Sequence, residues 1–416
     1  MTDAEYATDS EPRLLYVSTI AATIRHFLSP YGEYFRAIGW HVEAAANGAA
    51  SDAELRAAFD EVHELPLSRS MGELGGLVRG YSAVAGLLRQ GRPDIVHVHT
   101  PIAAAVTRLA ARRMDPAHRP AVVYTAHGFH FHAHGGRLSN LVFRTIERVA
   151  GRWTDRLIVI NAEDEEAARR HRIVPRAALV RLPGVGLDTS FYDPARVSAD
   201  DIARVYADLG MPVSAPLFVA VGELNANKRH ADAVEALGTM RERTARLILA
   251  GDGPLRNELV TLAKRLGLAG RVRVTGHVDD VRPLLTAATA LVHPSRREGL
   301  SRAVMEALAL GTPVIASAAR GNSELVADNG TIVGIGDVAA MAAAMDEYAH
   351  DPEAARMLAR TARTRIVDRY ELRSVIQQHR HLYEALLATR QSRPSGAAPA
   401  DGAASGAEPS ERSAKS

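Results

Sequence analysis

The sequence predicts an α/β fold built from two doubly wound domains that face a central cleft. Three observations support this prediction. The chain has 416 residues, more than one hydrophobic core serves comfortably. Short apolar runs alternate with longer helical patterns, and this alternation lapses once near the middle of the chain. The runs are apolar at consecutive positions, which is typical of strands buried on both faces of a parallel sheet.

Two successive sets of these strands follow one another along the chain. The first set is LLYVST (14–19), IVHVHT (95–100), VVYTAH (122–127) and RLIVIN (156–161). The second set is LFVAVGEL (217–224), RLILAGDG (246–253), RVRVTG (271–276), ALVHPS (290–295) and PVIAS (313–317). Helical patterns such as RHADAVEALGTM (229–240) and LRNELVTLAKRLGL (255–268) separate them. Two sets of β–α units predict two domains.

The domain boundary is expected where Gly and Pro cluster, in PGVGLDTSFYDPARV (183–197). The N-terminal domain is predicted to span 13–187 and the C-terminal domain 188–372. A helix over 373–390 is expected to pack back toward the N-terminal domain. The ends of the chain, 1–12 and 391–416, are predicted to be a disordered leader and a disordered tail. The tail has too few large apolar side chains to offset the entropy of ordering.

The composition excludes several classes of protein. A net charge of +2 is too small to indicate nucleic acid as the main partner. The absence of cysteine excludes disulfides and thiolate metal sites. The polar N-terminus does not resemble a secretory signal, and no apolar run approaches the roughly 20 residues that span a bilayer. We therefore expect a cytoplasmic protein, located at the inner face of the cell membrane if it contacts lipid.

Polar residues with functional potential follow the predicted strands, at the sheet edge where ligands of open α/β folds bind. GELNANKRH (222–230) places Lys228 just before a helix that begins near residue 229 or 230. A lysine there can meet a phosphate together with free backbone N–H groups, or it can be a solvated loop lysine. In ARGNSELV (319–326), Ser323 is a candidate helix N-cap, with or without an anion beside it.

Two glutamates in EGLSRAVMEALALGTPVIAS (298–317) are separated by seven residues. Glu298 lies in the loop after a strand, Ser301 is an acceptable N-cap, and Gly311 ends the helix. Eight steps of about 100° make two turns plus about 80°, so Glu298 and Glu306 do not stack even on one helix. From these residues alone, both a cleft site and a solvent-facing surface remain open.

Four histidines lie close together in VVYTAHGFHFHAHG (122–135): His127, His130, His132 and His134. Imidazole is a common transition-metal ligand, which raises the possibility of a metal-dependent hydrolase. The segment lacks the His-x-x-x-His helix spacing and contains no acidic residue. His127 ends its strand and is therefore the histidine best placed at the ligand edge.

A row of arginines follows in RLSNLVFRTIERVAGRWTDR. Its members are Arg137, Arg144, Arg148, Arg152 and Arg156. On a helix they form a basic stripe, with apolar side chains on other faces. Such a stripe is either solvated surface or a contact with anionic lipid.

Several motifs in fixed order resemble retaining glycosyltransferases of family four, in the branch that assembles capsule and exopolysaccharide. These motifs are GELNANK, AGDGPLRNEL, VTGHVDDV, HPSRREGLSRAVMEALALGTPVIAS and RGNSELV. SPYGEYFRAIGWHVEAAA, YTAHGFHFH and PGVGLDTSFY in the first half agree with them. The resemblance spans roughly 13 to 388. It implies the GT-B fold, in which two Rossmann-like domains enclose the active site.

The resemblance also implies roles for individual residues. Glu298 and Glu306 match the family's Glu-x7-Glu motif: Glu306 is expected to hold the ribose hydroxyls, and Glu298 to face the donor sugar. Lys228 is expected to neutralise the diphosphate, and His127 to contact the sugar near the reacting carbon. Further nucleotide-sugar contacts are expected from Gly276, His277 and Val278 near the base, and from Gly299, Leu300 and Ser301 at the helix N-terminus.

Two departures from the family pattern concern the diphosphate. Many members have Gly-Arg-Leu where this chain has Gly-Glu-Leu, so Glu223 replaces an arginine. Either Arg229 or Arg297 is expected to compensate. STIAATIRH (18–26) also lacks the glycine pair that many N-terminal domains offer to the diphosphate.

The resemblance implies a retaining transferase that moves a hexose or N-acetylhexosamine from a nucleotide diphosphate sugar, most simply a UDP-sugar. The acceptor is expected to be a hydroxyl of a lipid-linked saccharide or a small molecule. The chain has no Asp-x-Asp sequence, and neither a metal nor another cofactor is expected. The alternatives are a UDP-N-acetylglucosamine 2-epimerase on the same fold, the histidine-cluster hydrolase, and a non-catalytic sugar-nucleotide-binding protein.

Overall fold

A computed structural model describes residues 11–68, 74–131, 136–212 and 215–391. The strands of its N-terminal sheet are β1 (Arg13–Ile20), β2 (His41–Asn47), β3 (Glu61–Glu64), β4 (Ile95–Val98), β5 (Ala121–Ala126), β6 (Arg156–Val159) and β7 (Leu179–Arg181). Those of its C-terminal sheet are β8 (Leu217–Val221), β9 (Arg246–Ala250), β10 (Val272–Gly276), β11 (Ala290–His293), β12 (Val314–Ser317) and β13 (Thr331–Val333).

Both sheets are parallel and doubly wound. The N-terminal order is β3-β2-β1-β4-β5-β6-β7, and the C-terminal order is β10-β9-β8-β11-β12-β13. In each sheet the first strand of the domain lies inside, and the chain adds strands first on one side and then on the other. This reversal of direction creates a crevice at the carboxyl ends of the strands. The predicted α/β architecture of two Rossmann-like domains is confirmed.

Fifteen α-helices of the described residues connect and cover the sheets. They are α1 (Ala21–Ala37), α2 (Ala53–Ala58), α3 (Leu74–Gly91), α4 (Pro101–Arg112), α5 (Arg137–Gly151), α6 (Ala162–Arg170), α7 (Ala199–Leu209), α8 (His230–Thr239), α9 (Arg256–Arg265), α10 (Arg282–Ala287), α11 (Arg302–Ala309), α12 (Asn322–Val326), α13 (Val338–His350), α14 (Pro352–Tyr370) and α15 (Leu372–Gln391). In this part of the chain, none of the helices combines the length and the apolar character that crossing a membrane requires.

Each sheet is buried on both faces, as the consecutive apolar residues predict. In β1, Leu15 and Val17 belong to one apolar cluster, whereas Leu14 and Tyr16 belong to another on the opposite face. All nine predicted strands are present, mostly with slightly shorter bounds. The edge strands β3, β7 and β13 are three or four residues long and mostly half-exposed, so they carry no apolar run that the sequence would reveal.

The ends of two helices test the predicted caps. α11 begins after Ser301, whose hydroxyl accepts a hydrogen bond from the Val304 amide at 3.4 Å, so this predicted cap is confirmed. The prediction that Ser323 is an N-cap is wrong, because α12 begins after Gly321 and Ser323 lies inside the helix. Gly321 turns the chain with φ 79°, and a Cβ there would lie 1.8 Å from the Gly299 carbonyl oxygen.

The C-terminal helix α15 packs on the N-terminal domain. Its side chains Ile376, Tyr383 and Leu386 are buried in the apolar cluster that contains Leu14 and Tyr16. The chain enters α15 beside the predicted hinge, since the Leu372 amide donates to the Leu187 carbonyl at 2.9 Å. Residues 1–10 and 392–416, most of the predicted leader and tail, lie outside the described residues.

Candidate active site

The two domains meet at the carboxyl ends of their strands, and glycines permit their close approach. A Cβ on Gly299, in the loop after β11, would lie 2.0 Å from the carbonyl oxygen of His127 at the end of β5. The side-chain amide of Asn161, which follows β6, donates to the Gly299 carbonyl at 3.3 Å. The loop that carries Glu298 therefore lies directly against the loop that carries His127.

Lys228 and Glu298 form an ion pair at this edge. The Lys228 Nζ lies 2.7 Å from Glu298 Oε1, although the two residues are 70 positions apart. His293, the last residue of β11, lies 3.1 Å from the same oxygen through its Nε2. Burial raises the pKa of the Glu298 carboxyl, but Lys228 and His293 outweigh burial and hold that pKa well below its usual range. Glu298 is therefore ionised at neutral pH.

His293 also ties this pair to the start of α11. Its Nε2 lies 3.0 Å from the Ser301 hydroxyl, and the ring is buried. Burial lowers the pKa of His293, against the opposing effect of Glu298. Sequence reasoning did not single out His293, although its place near the end of a predicted strand is the same signal that singled out His127.

Glu306 lies inside α11 and is 7% exposed. Its Oε1 accepts hydrogen bonds from the Tyr192 hydroxyl at 2.8 Å and from Arg302 Nε at 2.9 Å. Burial raises the pKa of Glu306, opposed by Arg302 and Tyr192. Arg302 is one helical turn before Glu306, a spacing that the sequence could have revealed. Tyr192 comes from the hinge segment, so only the fold brings it to Glu306.

His127 contacts a row of buried histidines. Its Nε2 lies 3.1 Å from His99 Nδ1, and the rings of His99 and His97 are 4.1 Å apart. Burial, with a smaller contribution from His379 of α15, lowers the pKa of His127 to about 4. The ring is therefore neutral at physiological pH and can exchange hydrogen bonds with uncharged hydroxyls.

A buried interdomain ion pair lies next to the His127 loop. Arg320, just before α12, pairs with Asp164 of α6, whose side chain is fully buried. The Arg320 guanidinium also donates to the carbonyls of Phe129 and Phe131, at 3.3 and 3.1 Å. Asp164 holds this loop as well, since it accepts from the Phe129 amide at 3.3 Å.

The remaining predicted residues differ in the contacts they already make. Arg229 is occupied by a bidentate pair with Asp232, at 2.7 and 2.9 Å. Arg297 is half-buried and makes no ion pair within the described residues, which leaves its charge available. Its backbone carbonyl accepts from Asn227 at 2.9 Å, which links the Lys228 loop to the Glu298 loop.

The three residues predicted to lie near the base follow β10. Gly276 ends the strand with φ 81°. The side chain of His277 is 78% exposed and lies 3.4 Å from Asp279, whereas Val278 packs on the C-terminal core. Leu300 also packs on that core and faces Gly184 of the hinge, since a Cβ on Gly184 would lie 3.3 Å from it.

The metal site predicted by the hydrolase alternative does not form among the described histidines. In that part of the chain, the group with metal-ligand spacing is Glu43, Glu61 and His63, on β2 and β3. Glu43 is already bonded to Arg13 at 2.7 Å and to His63 at 2.8 Å. His132 and His134 lie outside the described residues.

In comparisons with known proteins, the chain matches two family models. The model described as "Glycosyl transferases group 1" matches 203–365, and the model described as "Glycosyltransferase Family 4" matches 31–189. The matches cover most of the C-terminal and N-terminal domains respectively. Neither model describes an epimerase or a hydrolase.

Similar proteins agree with these models. EpsD of Bacillus subtilis, which its name assigns to the glycosyltransferases, is 32% identical over 90% of this chain and 97% of its own length. An Escherichia coli UDP-Gal:α-D-GlcNAc-diphosphoundecaprenol α-1,3-galactosyltransferase is 28% identical over 71% of this chain and 76% of its own. The crystal structure of Anabaena HepE with UDP and glucose has a TM-score of 0.75 at 21% identity, covering 90% of this chain and all of that one. This likeness shows the GT-B fold, and the identity to EpsD over nearly its whole length shows that the chain belongs to the group 1 glycosyltransferases.

Proposed function

We propose that this enzyme transfers a sugar from a UDP-sugar to a hydroxyl of a lipid-linked saccharide, with retention of configuration and without a divalent metal. One observation carries the proposal. The Lys228–Glu298 pair lies at the N-terminus of α11, and Glu306 is buried on the same helix beside Tyr192. This arrangement offers a cation for a diphosphate and two carboxylates for sugar hydroxyls.

The reaction breaks the bond between the sugar's anomeric carbon and a phosphate oxygen, and it forms a bond from that carbon to the acceptor oxygen. Negative charge develops on the diphosphate, where Lys228 and the free N–H groups of α11 stabilise it. An ammonium group has three N–H donors, so Lys228 can bind phosphate without releasing Glu298. The acceptor's proton passes to the leaving phosphate oxygen. His127 and Glu298 position the sugar, and no covalent intermediate with the enzyme is needed.

Similar proteins support the donor and the acceptor. The name of the Escherichia coli relative specifies UDP-Gal and a diphosphoundecaprenol-linked acceptor. Anabaena HepE has been crystallised with UDP, with UDP-glucose, and with UDP and glucose. We extend to this chain the uracil nucleotide and the lipid-linked saccharide, and leave the hexose to be identified by experiment.

The test is to incubate the full chain with a panel of UDP-sugars and an undecaprenyl-diphosphate-linked N-acetylhexosamine, in the presence of EDTA. We expect one donor to yield a product one sugar heavier by mass spectrometry, with the donor's anomeric configuration by NMR. Glu306→Gln, which keeps the size but removes the charge, is expected to raise the donor KM.

Three outcomes would contradict the proposal. Isomerisation of the UDP-sugar without acceptor would indicate an epimerase. Activity that requires zinc bound at one ion per chain would indicate a hydrolase. Binding of UDP-sugar without release of UDP, for every acceptor offered, would indicate a non-catalytic protein.

A further inference from the structure

Helix α5 exposes a row of large apolar side chains to solvent. Of eleven exposed large apolar residues in the described part of the chain, five lie on this one helix. They are Leu138 (76% exposed), Leu141 (48%), Val142 (46%), Ile146 (37%) and Val149 (43%). Single exposed apolar residues are ordinary on a protein surface, whereas a contiguous row indicates an interaction site.

The five residues share one face of the helix. At about 100° per residue they span an arc of about 140°. Three arginines of α5, Arg137, Arg144 and Arg148, border one side of this arc, and a fourth, Arg152, is the C-cap residue that follows the helix. None of the four makes an ion pair within the described residues. Arg156, predicted to continue this stripe, does not belong to it, because α5 ends at Gly151 and Arg156 begins β6.

The opposite face of α5 fixes the helix on the domain. Glu147 is buried and pairs with the fully buried Arg108 of α4 at 3.0 Å. The Tyr124 hydroxyl donates to the other Glu147 oxygen at 3.2 Å. A Cβ on Gly151 would lie 1.9 Å from the Ile173 carbonyl oxygen. The helix therefore cannot rotate its apolar row into the core without breaking a buried ion pair.

We propose that α5 binds the surface of an anionic bilayer. Its apolar row would enter the boundary between headgroups and acyl chains, and its arginines would reach lipid phosphates along one side. The unpaired positive row supports an anionic surface over other partners. A second copy packed antiparallel on the same face would place two arginine rows side by side. The chain's own residues 392–416 contain no large apolar side chain that could cover α5.

Binding through α5 would place the membrane near the opening of the cleft. The residues that join β5 to α5 begin with His127, so the N-terminus of α5 lies on the cleft side of the sheet. A bilayer against α5 would present the headgroups of its lipids near the opening of the N-terminal half of the cleft. The surface depends on α5 alone and would bind lipid whether or not the proposed sugar transfer is correct.

The test is vesicle flotation of the full chain. Vesicles of equal parts phosphatidylcholine and phosphatidylglycerol are compared with vesicles of phosphatidylcholine alone. We expect binding to the anionic vesicles only, weakened by salt, which screens surface charge. Arg137→Glu with Arg148→Glu is expected to lower vesicle binding by about tenfold or more, at about 1 kcal/mol per basic residue near the surface. Leu138→Glu with Leu141→Glu is expected to lower it at least as much, because it places charges on the face that would enter the boundary of the acyl chains.

Matched controls replace exposed residues of other helices. Met357→Glu with Leu358→Glu on α14, and Arg169→Glu with Arg170→Glu on α6, are expected to bind as the wild type does. Circular dichroism and sugar transfer to a water-soluble acceptor are expected to be unchanged in all variants, which separates lipid binding from folding and from catalysis. The proposal is overturned if the wild type ignores anionic vesicles or if the α5 variants still bind them. It is also overturned if the wild type forms a dimer that these variants abolish.

Discussion

Lys228 and Glu298 form their ion pair with side chains only 21% and 12% exposed, so solvent screens the charges weakly. Lys228→Met keeps the length of the side chain but removes its charge. We expect kcat/KM for the donor to fall about 10- to 150-fold, since a hydrogen bond to a charged group contributes roughly 1.5–3 kcal/mol. The exposed Lys264→Met is the control and should retain wild-type kinetics. An equal kcat/KM in both variants would remove Lys228 from the diphosphate site.

Substitutions of His127 and of Glu306 are expected to change different kinetic constants, because His127 acts near the reacting carbon and Glu306 acts on the ribose. His127→Ala should mainly lower kcat, whereas Glu306→Ala should mainly raise the donor KM. Since the pKa of His127 in the free enzyme is lowered to about 4, the wild-type kcat/KM should show no titration of this histidine between pH 6 and 8. Steady-state kinetics over that range measure all three quantities. Unchanged kinetics in both variants would show that the site lies elsewhere.

Helix ends and buried strands could be predicted from local sequence signals, whereas most contacts between side chains far apart in the chain could not. The α11 segment was placed correctly, because Ser301 and Gly311 are readable helix ends. Two contacts of these glutamates were not predicted. The Tyr192 hydroxyl is 114 positions from Glu306 and only folding brings it there, whereas His293 lies near the end of a predicted strand, as His127 does, and could have been found. Ser323 failed as a cap because Gly321, pressed against Gly299, turns the chain first. The strand β3, EVHE, has no apolar pattern to detect.

Helix α15 offers a test of how the C-terminus stabilises the N-terminal domain. The hydroxyl of Tyr383 lies 2.5 Å from His97 Nδ1 in a fully buried setting. Tyr383→Phe leaves that nitrogen without its partner, so we expect the free energy of unfolding to fall by about 1–3 kcal/mol. Urea denaturation measures it. Tyr81→Phe, which removes a hydroxyl that makes no hydrogen bond within the described residues, is the control. Equal losses would indicate that the His97 contact contributes nothing.

For the whole molecule, buried histidines predict a loss of stability in mild acid. Burial lowers the pKa of His379 to about 4 and that of His230 to about 3, whereas the unfolded chain titrates near 6.5. The unfolded state therefore binds more protons as pH falls below about 6.5, and the folded state is destabilised. At pH 5 the cost is about 2 kcal/mol for each such histidine. Urea denaturation between pH 7 and 5 measures this slope, which His379→Gln should reduce. The exposed His118→Gln is the control and should leave it unchanged.

A buried ion pair joins the two domains beside the His127 loop. Arg320 of the C-terminal domain pairs with the fully buried Asp164 of the N-terminal domain and holds the loop after His127. Burial raises the pKa of Asp164, and Arg320 opposes that rise. Arg320→Met leaves the carboxylate unpaired, and breaking a buried pair in this way costs about 3–5 kcal/mol. Because opening the cleft would hydrate Asp164, we expect a larger radius of gyration by small-angle X-ray scattering and a higher donor KM.

The second substitution Asp164→Asn removes the stranded charge, so the double variant should recover part of the compactness that Arg320→Met loses. Arg360→Met, which breaks an exposed pair with Glu353 on α14, should change neither quantity. If Arg320→Met keeps the wild-type radius of gyration and donor KM, the ion pair does not hold the cleft closed. The glycine contacts between the Glu298 and His127 loops would then have to suffice for closure.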